Sequence, residues 1–120
     1  MISDRRKIGN FGEQLACDFL KKKKYKIIER NFQNKFGEID LITRDRNQLV
    51  FVEVKLKENK DFGLPEEEFT FYKKKKLKRV INSYFIEKKN KEENWRVDLI
   101  AIEFDKNTEP LIRHHQSVEI

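Results

Sequence analysis

The chain is poor in the residues that staple, break or loosen a small protein: one cysteine, two prolines and four glycines in 120 positions. A lone Cys17 makes no internal disulfide, which excludes the disulfide-stapled class of small secreted domain and fits a reducing cytoplasm. Pro65 and Pro110 lie far apart and no internal repeat or Gly/Ser-rich tract marks a linker, so residues 1–120 read as a single domain. No uncharged run approaches ~18 residues, and the basic residues near the start are followed by no apolar h-region, so neither a spanning helix nor a secretion signal is expected. The expected setting is cytoplasmic, away from membranes. Walker-type and dinucleotide-binding glycine loops are also missing. His114 and His115 are adjacent on a segment that reads as extended, where neighbours point to opposite sides, and Cys17 is remote from both, which argues against a zinc site.

Charge, by contrast, is abundant. Charged residues make up 40% of the chain, with Lys and Arg outnumbering Asp and Glu by 27 to 21 for a formal net charge of +6. An excess of that sign steers a protein toward polyanions, nucleic acid first. A surface dressed in Lys and Glu for solubility produces the same totals, so the placement of the acids has to separate the two readings. The 38% of residues that are hydrophobic suffice for one core, since a chain of this length buries roughly two-thirds of its unfolded surface on folding.

Ile8, Phe11, Leu15, Phe19 and Leu20 recur at three- and four-residue steps, which predicts an amphipathic helix over 4–24. β-branched and aromatic residues predict a strand over 25–30 and, after a polar connection, two more over 37–43 and 49–55, joined as a hairpin by the turn chemistry of Asp45-Arg46-Asn47-Gln48. After a loop at 61–65, Glu66, Glu67 and Glu68 lead into a lysine-rich helix, acids first and bases later as the helix dipole favours. Phe69, Leu77, Val80, Ile81, Tyr84 and Phe85 mark its buried stripe. A mostly buried strand follows over 95–104, then a turn and a short last segment over 111–118. The order α-β-β-β-α-β(-β) suits an α/β fold with a mixed sheet flanked by helices.

Alternation along a strand puts Phe51, Glu53 and Lys55 on one face and Val50, Val52 and Val54 on the other. The same phase groups Glu38, Asp40 and Ile42, with Ile39 and Leu41 opposite. A two-residue turn at Arg46 and Asn47 sets Asp45 against Gln48, and counting back brings Asp40 opposite Glu53 and Glu38 opposite Lys55. Carboxylates facing each other at ~5 Å between Cβ atoms destabilise a hairpin unless a proton or a cation lies between them. Mg²⁺ or Mn²⁺ is such a cation, taking oxygen ligands from one or two carboxylates and completing its shell with water and substrate phosphate. Lys55 would then help place an attacking water or neutralise charge building on phosphorus. Solvated strand residues, with Glu38 and Lys55 as a cross-strand ion pair, account for the same pattern.

Glu13 sits at the margin of the first helix's apolar stripe, between the small neighbours Gly9, Gly12 and Ala16, where it is either a further site carboxylate or a plain helix flank. Lys73, Lys74, Lys75, Lys76, Lys78 and Arg79 spread charge around the second helix, as a solvated face or as a ridge for phosphates. Phe71 and Tyr72, just before that run, are placed to lie against sugar or base.

The succession Gly9-x-x-Gly12-Glu13-x-x-Ala16, Arg30-Asn31, Gly37-Glu38-Ile39-Asp40-Leu41-Ile42, Val50-Phe51-Val52-Glu53-Val54-Lys55, Phe62-Gly63 and Arg96-Val97-Asp98-Leu99-Ile100 resembles the UPF0102 (YraN-like) family of small bacterial proteins. Its carboxylate, carboxylate-x-lysine pattern also resembles the PD-(D/E)XK nuclease superfamily, in the branch with archaeal Holliday junction resolvases. The resemblance implies a restriction-endonuclease-like mixed β-sheet flanked by helices. It implies Asp40 as the first metal-binding acid, Glu53 and Lys55 as the E-x-K pair, and Glu13 as the helix-borne acid, so that Glu13, Asp40, Glu53 and Lys55 would be catalytic and the three acids would hold Mg²⁺ or Mn²⁺. Lys73 falls where the family has a lysine opening its second long helix. Lys57 stands in place of the family's arginine, Val97 in place of the phenylalanine of an Arg-Phe-Asp motif, and Ser117-Val118 where the family ends in Ala-Phe.

The functional expectation is a metal-dependent nuclease hydrolysing phosphodiesters of DNA, branched or structured DNA included, with Lys57, Lys73, Lys74, Lys76 and Arg79 contacting the nucleic acid. A domain this small covers few base pairs, which makes a homodimer attractive by symmetry. The alternatives are a non-catalytic nucleic-acid-binding module on the same fold and a protein-interaction domain whose lysines only solubilise it.

Overall fold

The computed structural model describes residues 5–58, 63–89, 91–92 and 94–120, with side chains from residue 9 onward. Ile8 of the helical stripe, residues 61–62 of the expected loop and Phe62 of the Phe-Gly motif therefore lie outside the described side chains. Helix α1 (Arg5–Lys22) leads into strands β1 (Lys26–Asn34), β2 (Gly37–Asp45) and β3 (Gln48–Glu58). A short 3-10 turn (Pro65–Glu68), helix α2 (Phe71–Lys88) and strands β4 (Trp95–Asp105) and β5 (Thr108–His115) complete the chain. The expected order holds, with the last segment a full fifth strand.

The five strands form one mixed sheet in chain order β1-β2-β3-β4-β5. Every neighbouring pair is antiparallel except β3 and β4, which run parallel because α2 carries the chain back between them. On one face, Leu77, Val80, Ile81, Tyr84 and Phe85 of α2 pack on Phe32, Ile42, Phe51, Val97 and Leu99. The Phe51 ring is the centre of that layer, meeting Tyr84, Phe85 and Trp95 at 5.6, 5.7 and 5.7 Å between centroids. On the other face, Ala16, Cys17 and Leu20 of α1 cover Leu41, Val50, Val52, Ile100 and Ile102. Helices on both faces make β3 and β4 buried on both sides, which is why their sequences carry near-continuous apolar runs. The α1 stripe is rotated from the expected one: Leu15 and Phe19 are only partly buried and Phe11 lies at the surface beside Phe104.

Two local departures matter for the site. The polar stretch after residue 30 is not a connection: β1 continues to Asn34 with Asn31 at φ +54, and the turn falls at Lys35 and Phe36. Ile39, expected beside Leu41, instead joins Phe32 and Ile42 under α2 while Leu41 faces α1. Alternation therefore breaks at Asp40. Gly37 makes the approach of α2 here feasible, since a Cβ on it would meet Val80 Cγ2 at 3.0 Å, and its φ of +140 is one that side chains avoid. Gly37→Ala is expected to cost about 1–3 kcal/mol in urea unfolding, through backbone strain and displacement of α2. Among the described residues, no helix is long and apolar enough to cross a membrane.

Candidate functional site

The turn at Arg46 and Asn47 sets Asp45 opposite Gln48, and the antiparallel ladder runs back in the counted register to Leu41 opposite Val52. There it stops. One residue further, Asp40 turns its side chain into the widening gap and accepts the Val54 N–H at 2.8 Å, a bond a ladder carbonyl would otherwise take. Asp40 and Glu53 thus stand close together where β2 and β3 separate. Burial, and then the Glu53 carboxylate beside it, raise Asp40 well above the ordinary carboxylate range.

The gap opens into a hollow of about 880 Å³ lined by residues of both helices and of β1, β2 and β3. Helix α1 contributes Glu13. Gly12 lets that helix lie close against β3, its position for a Cβ being 3.3 Å from Leu56 Cδ2, and Gly9 leaves open space one turn before Glu13. Glu13 Oε1 is buried without a hydrogen-bond partner, and burial raises the Glu13 carboxyl above its usual range against the pull of Asn31 and Arg30. Lys55 also lines the hollow, yet its ammonium lies 3.1 Å from Glu53 on its own strand rather than across the hairpin at Glu38. Glu38 is taken by Gln33 at 3.0 Å. The cross-strand Glu38–Lys55 ion pair is replaced because β2 and β3 have already parted at that level.

Of the expected cationic set, Lys73 and Lys76 line the hollow, one turn apart on α2. Lys74 lies over the Phe69 ring at 5.4 Å, Arg79 is exposed, and Lys57 pairs with Glu68 at 3.8 Å. Glu68, Gln33 and Asn34 complete the walls and were not singled out in the sequence, where nothing local distinguishes them from surface polar residues. Among the described residues no group of three or more His, Cys, Asp or Glu side chains is gathered at metal-holding spacing. The donor set is instead a carboxyl pair with an unbonded Glu13 oxygen in the same hollow, which fits an ion of the Mg²⁺ type that keeps most of its shell for water and phosphate.

The Arg96-Val97-Asp98 motif lies outside this hollow. Asp98 is fully buried and accepts from Arg96 Nε at 2.9 Å, Tyr25 Oη at 3.1 Å and the Ser117 N–H at 3.1 Å. The Lys23 ammonium, which only donates, approaches His114 Nδ1 at 2.8 Å, so Nε2 carries the proton donated to Asp98, also at 2.8 Å. His115 points the other way, to Glu66 at 2.8 Å, where Arg113 adds a two-pronged ion pair. That clamp, rather than a helix dipole, uses Glu66 and holds its carboxyl down at about 2.

The model of Uncharacterised protein family UPF0102 matches residues 12–102, a span that includes Glu13, Asp40, Glu53, Lys55 and Asp98. A UPF0102 protein of Caldicellulosiruptor saccharolyticus is 40% identical over 108 residues, 90% of this chain and 92% of its own. The UPF0102 protein TTE1452 of Caldanaerobacter subterraneus subsp. tengcongensis is 41% identical over 99 residues, 82% of this chain and 81% of its own. One from Thermodesulfovibrio yellowstonii is 45% identical over 98 residues, 82% of this chain and 87% of its own. By the span of the family match and by the identity and coverage of these relatives, the chain belongs to the UPF0102 family.

Proposed function

We propose that the protein is a metal-dependent nuclease acting on DNA. The observation that carries this reading is the Asp40–Glu53 carboxyl pair lining one hollow with Glu13, Lys55, Lys73 and Lys76. Two half-buried carboxyls set side by side weaken a fold, and a divalent cation between them gives the pair a use. Asp40 and Glu53 would hold Mg²⁺ or Mn²⁺, which supplies Lewis-acid polarisation of a phosphoryl oxygen and a more acidic water when bound. Lys73 and Lys76 draw the phosphodiester backbone to the hollow, by attraction that salt screens. Lys55, which lines the same hollow, would offer its ammonium to the phosphoryl oxygens or the attacking water. Glu13, with one oxygen unbonded, is placed to accept a hydrogen bond from that water.

The 3.1 Å Glu53–Lys55 pair favours a second reading, in which the carboxylates serve only an internal ion network and the fold binds nucleic acid without cutting it. A labelled panel of single strand, duplex, four-way junction and structured RNA, incubated with Mg²⁺ or Mn²⁺, separates the two. Cleavage that EDTA stops and that Lys55→Ala loses supports the nuclease. Salt-sensitive binding with no cutting of any member, the same in Asp40→Asn, supports the module.

A further inference from the structure

Two segments of the hollow's rim share a feature the nuclease reading leaves unused. Tyr72, 73% exposed, lies one turn before the hollow-lining Lys76 on the same side of α2, and Phe71, 76% exposed, is its neighbour at the start of that helix. Between the hollow-lining Asn34 and Gly37 stands Phe36, 40% exposed at the tip of the β1–β2 turn. Each phenylalanine carries a lysine ammonium over its ring, Lys75 at 5.2 Å from Phe71 and Lys35 at 5.3 Å from Phe36. Phe71 stays three-quarters exposed with that cation in place, so its ring is not consumed by a contact within the protein. None of the three rings belongs to either core layer, and Thr70 already caps α2 through the Lys73 N–H, so local folding does not require them.

Aromatic faces exposed beside lysines suit a partner that is flat, apolar on its faces and anionic at its edges. Nucleobases on a phosphate backbone have those properties. Within a duplex both faces of each base are covered by neighbouring bases, and only edges and phosphates are presented. Rings standing on a rim therefore engage bases that have left the stack. We infer that the substrate of this hollow carries unpaired bases beside the scissile phosphate, stacked on Phe71 and Tyr72 with Phe36 as a further platform on the β1–β2 turn. The inference rests on the nuclease reading for the nucleic acid itself and narrows it to single strands, flaps and the open arms of branched DNA.

Binding is measured without catalysis, in EDTA, using fluorescein-labelled oligothymidylate and a blunt duplex of equal phosphate number. The wild type should bind the single strand about tenfold more tightly than the duplex, and Phe71→Ala/Tyr72→Ala should lose about that factor on the single strand with duplex binding nearly unchanged. Phe36→Ala should give a smaller loss of the same kind. Lys78→Ala, a charge control on the exposed surface of the same helix, should weaken both polymers alike. 2-Aminopurine in the single strand should be quenched by the wild type and not by the double variant. Unchanged melting temperatures would show that these exposed truncations leave the fold intact. Equal affinity for the two polymers, or a double variant that keeps both single-strand affinity and quenching, overturns the inference, and the rings then belong to a protein contact. Stacking that persists with no cleavage of any substrate overturns the nuclease reading and leaves the stacking site standing.

Discussion

Asp40→Asn should reduce divalent-dependent cleavage by at least about a hundredfold and, in EDTA, raise the melting temperature above that of the wild type. The two effects have one cause. Asp40 is half-buried beside Glu53, and its carboxyl is raised well above the ordinary range. An acid whose pKa is higher folded than unfolded makes the folded state bind more protons, so stability falls as pH rises from the unfolded value through the folded one. Asparagine removes that penalty. Its carbonyl still accepts the Val54 N–H, and its amide, uncharged at every pH, is a donor for the neighbouring Glu53. The gap in melting temperature between variant and wild type should therefore widen with increasing pH above the unfolded carboxyl value near 4. Adding Mg²⁺ or Mn²⁺ at a hundred times its dissociation constant should stabilise the wild type by about 2.7 kcal/mol and leave Asp40→Asn unmoved. Melting curves with and without the ion thus test the carboxyl pair even if the true substrate is missing from the panel. A variant no more stable than wild type at high pH, with both proteins indifferent to the ion, would remove the physical basis of the metal site.

The meeting of Asp40 and Glu53 was legible because a hairpin's register follows from its turn, and Asp45-Arg46-Asn47-Gln48 leaves one sensible count. What lies beyond Leu41 was not legible, because strict alternation assumes that strands stay together. Asn31 at φ +54 and the end of the β2–β3 ladder turn Ile39 toward α2, draw Asp40 inward and leave Lys55 to pair along its own strand. Glu13 could be placed on a helix flank by its spacing, but only the packing of Gly12 on Leu56 brings that flank to the hollow. The buried stripe of α2 was readable throughout, since Leu77, Val80, Ile81, Tyr84 and Phe85 repeat at the helical period. Glu66 misled for the opposite reason. Three acids before a helix resemble dipole complementation, while the clamp with Arg113 and His115 joins residues nearly fifty positions apart and has no local signature.

Asp98→Ala should be the most damaging single truncation outside the hydrophobic layers, costing about 3–5 kcal/mol in denaturant unfolding. Asp98 is fully buried, and it accepts from Arg96, Tyr25, His114 and the Ser117 N–H. Removing the carboxylate strands the Nε2–H of His114 and the Ser117 N–H inside the structure and leaves the Arg96 guanidinium only Asp45, Gln48 and Tyr25. Against a total stability of about 5–15 kcal/mol for a domain of this kind, such a loss brings the folded state close to its limit. Burial alone would raise the Asp98 carboxyl, but His114 and Arg96 outweigh it and hold the pKa at about 2 against an ordinary 3.8. A depressed acid contributes stability above its unfolded pKa and loses it as pH falls through the folded one. The wild type should accordingly shed about 2 kcal/mol between pH 4 and pH 2 on account of this group, and Asp98→Asn should lose that part of its acid sensitivity. Because the network stands apart from the hollow, Asp98→Asn at neutral pH should lower the melting temperature while the fraction that remains folded keeps its affinity for single-stranded DNA. Equal loss of binding per folded molecule would instead join this network to the hollow as one functional unit.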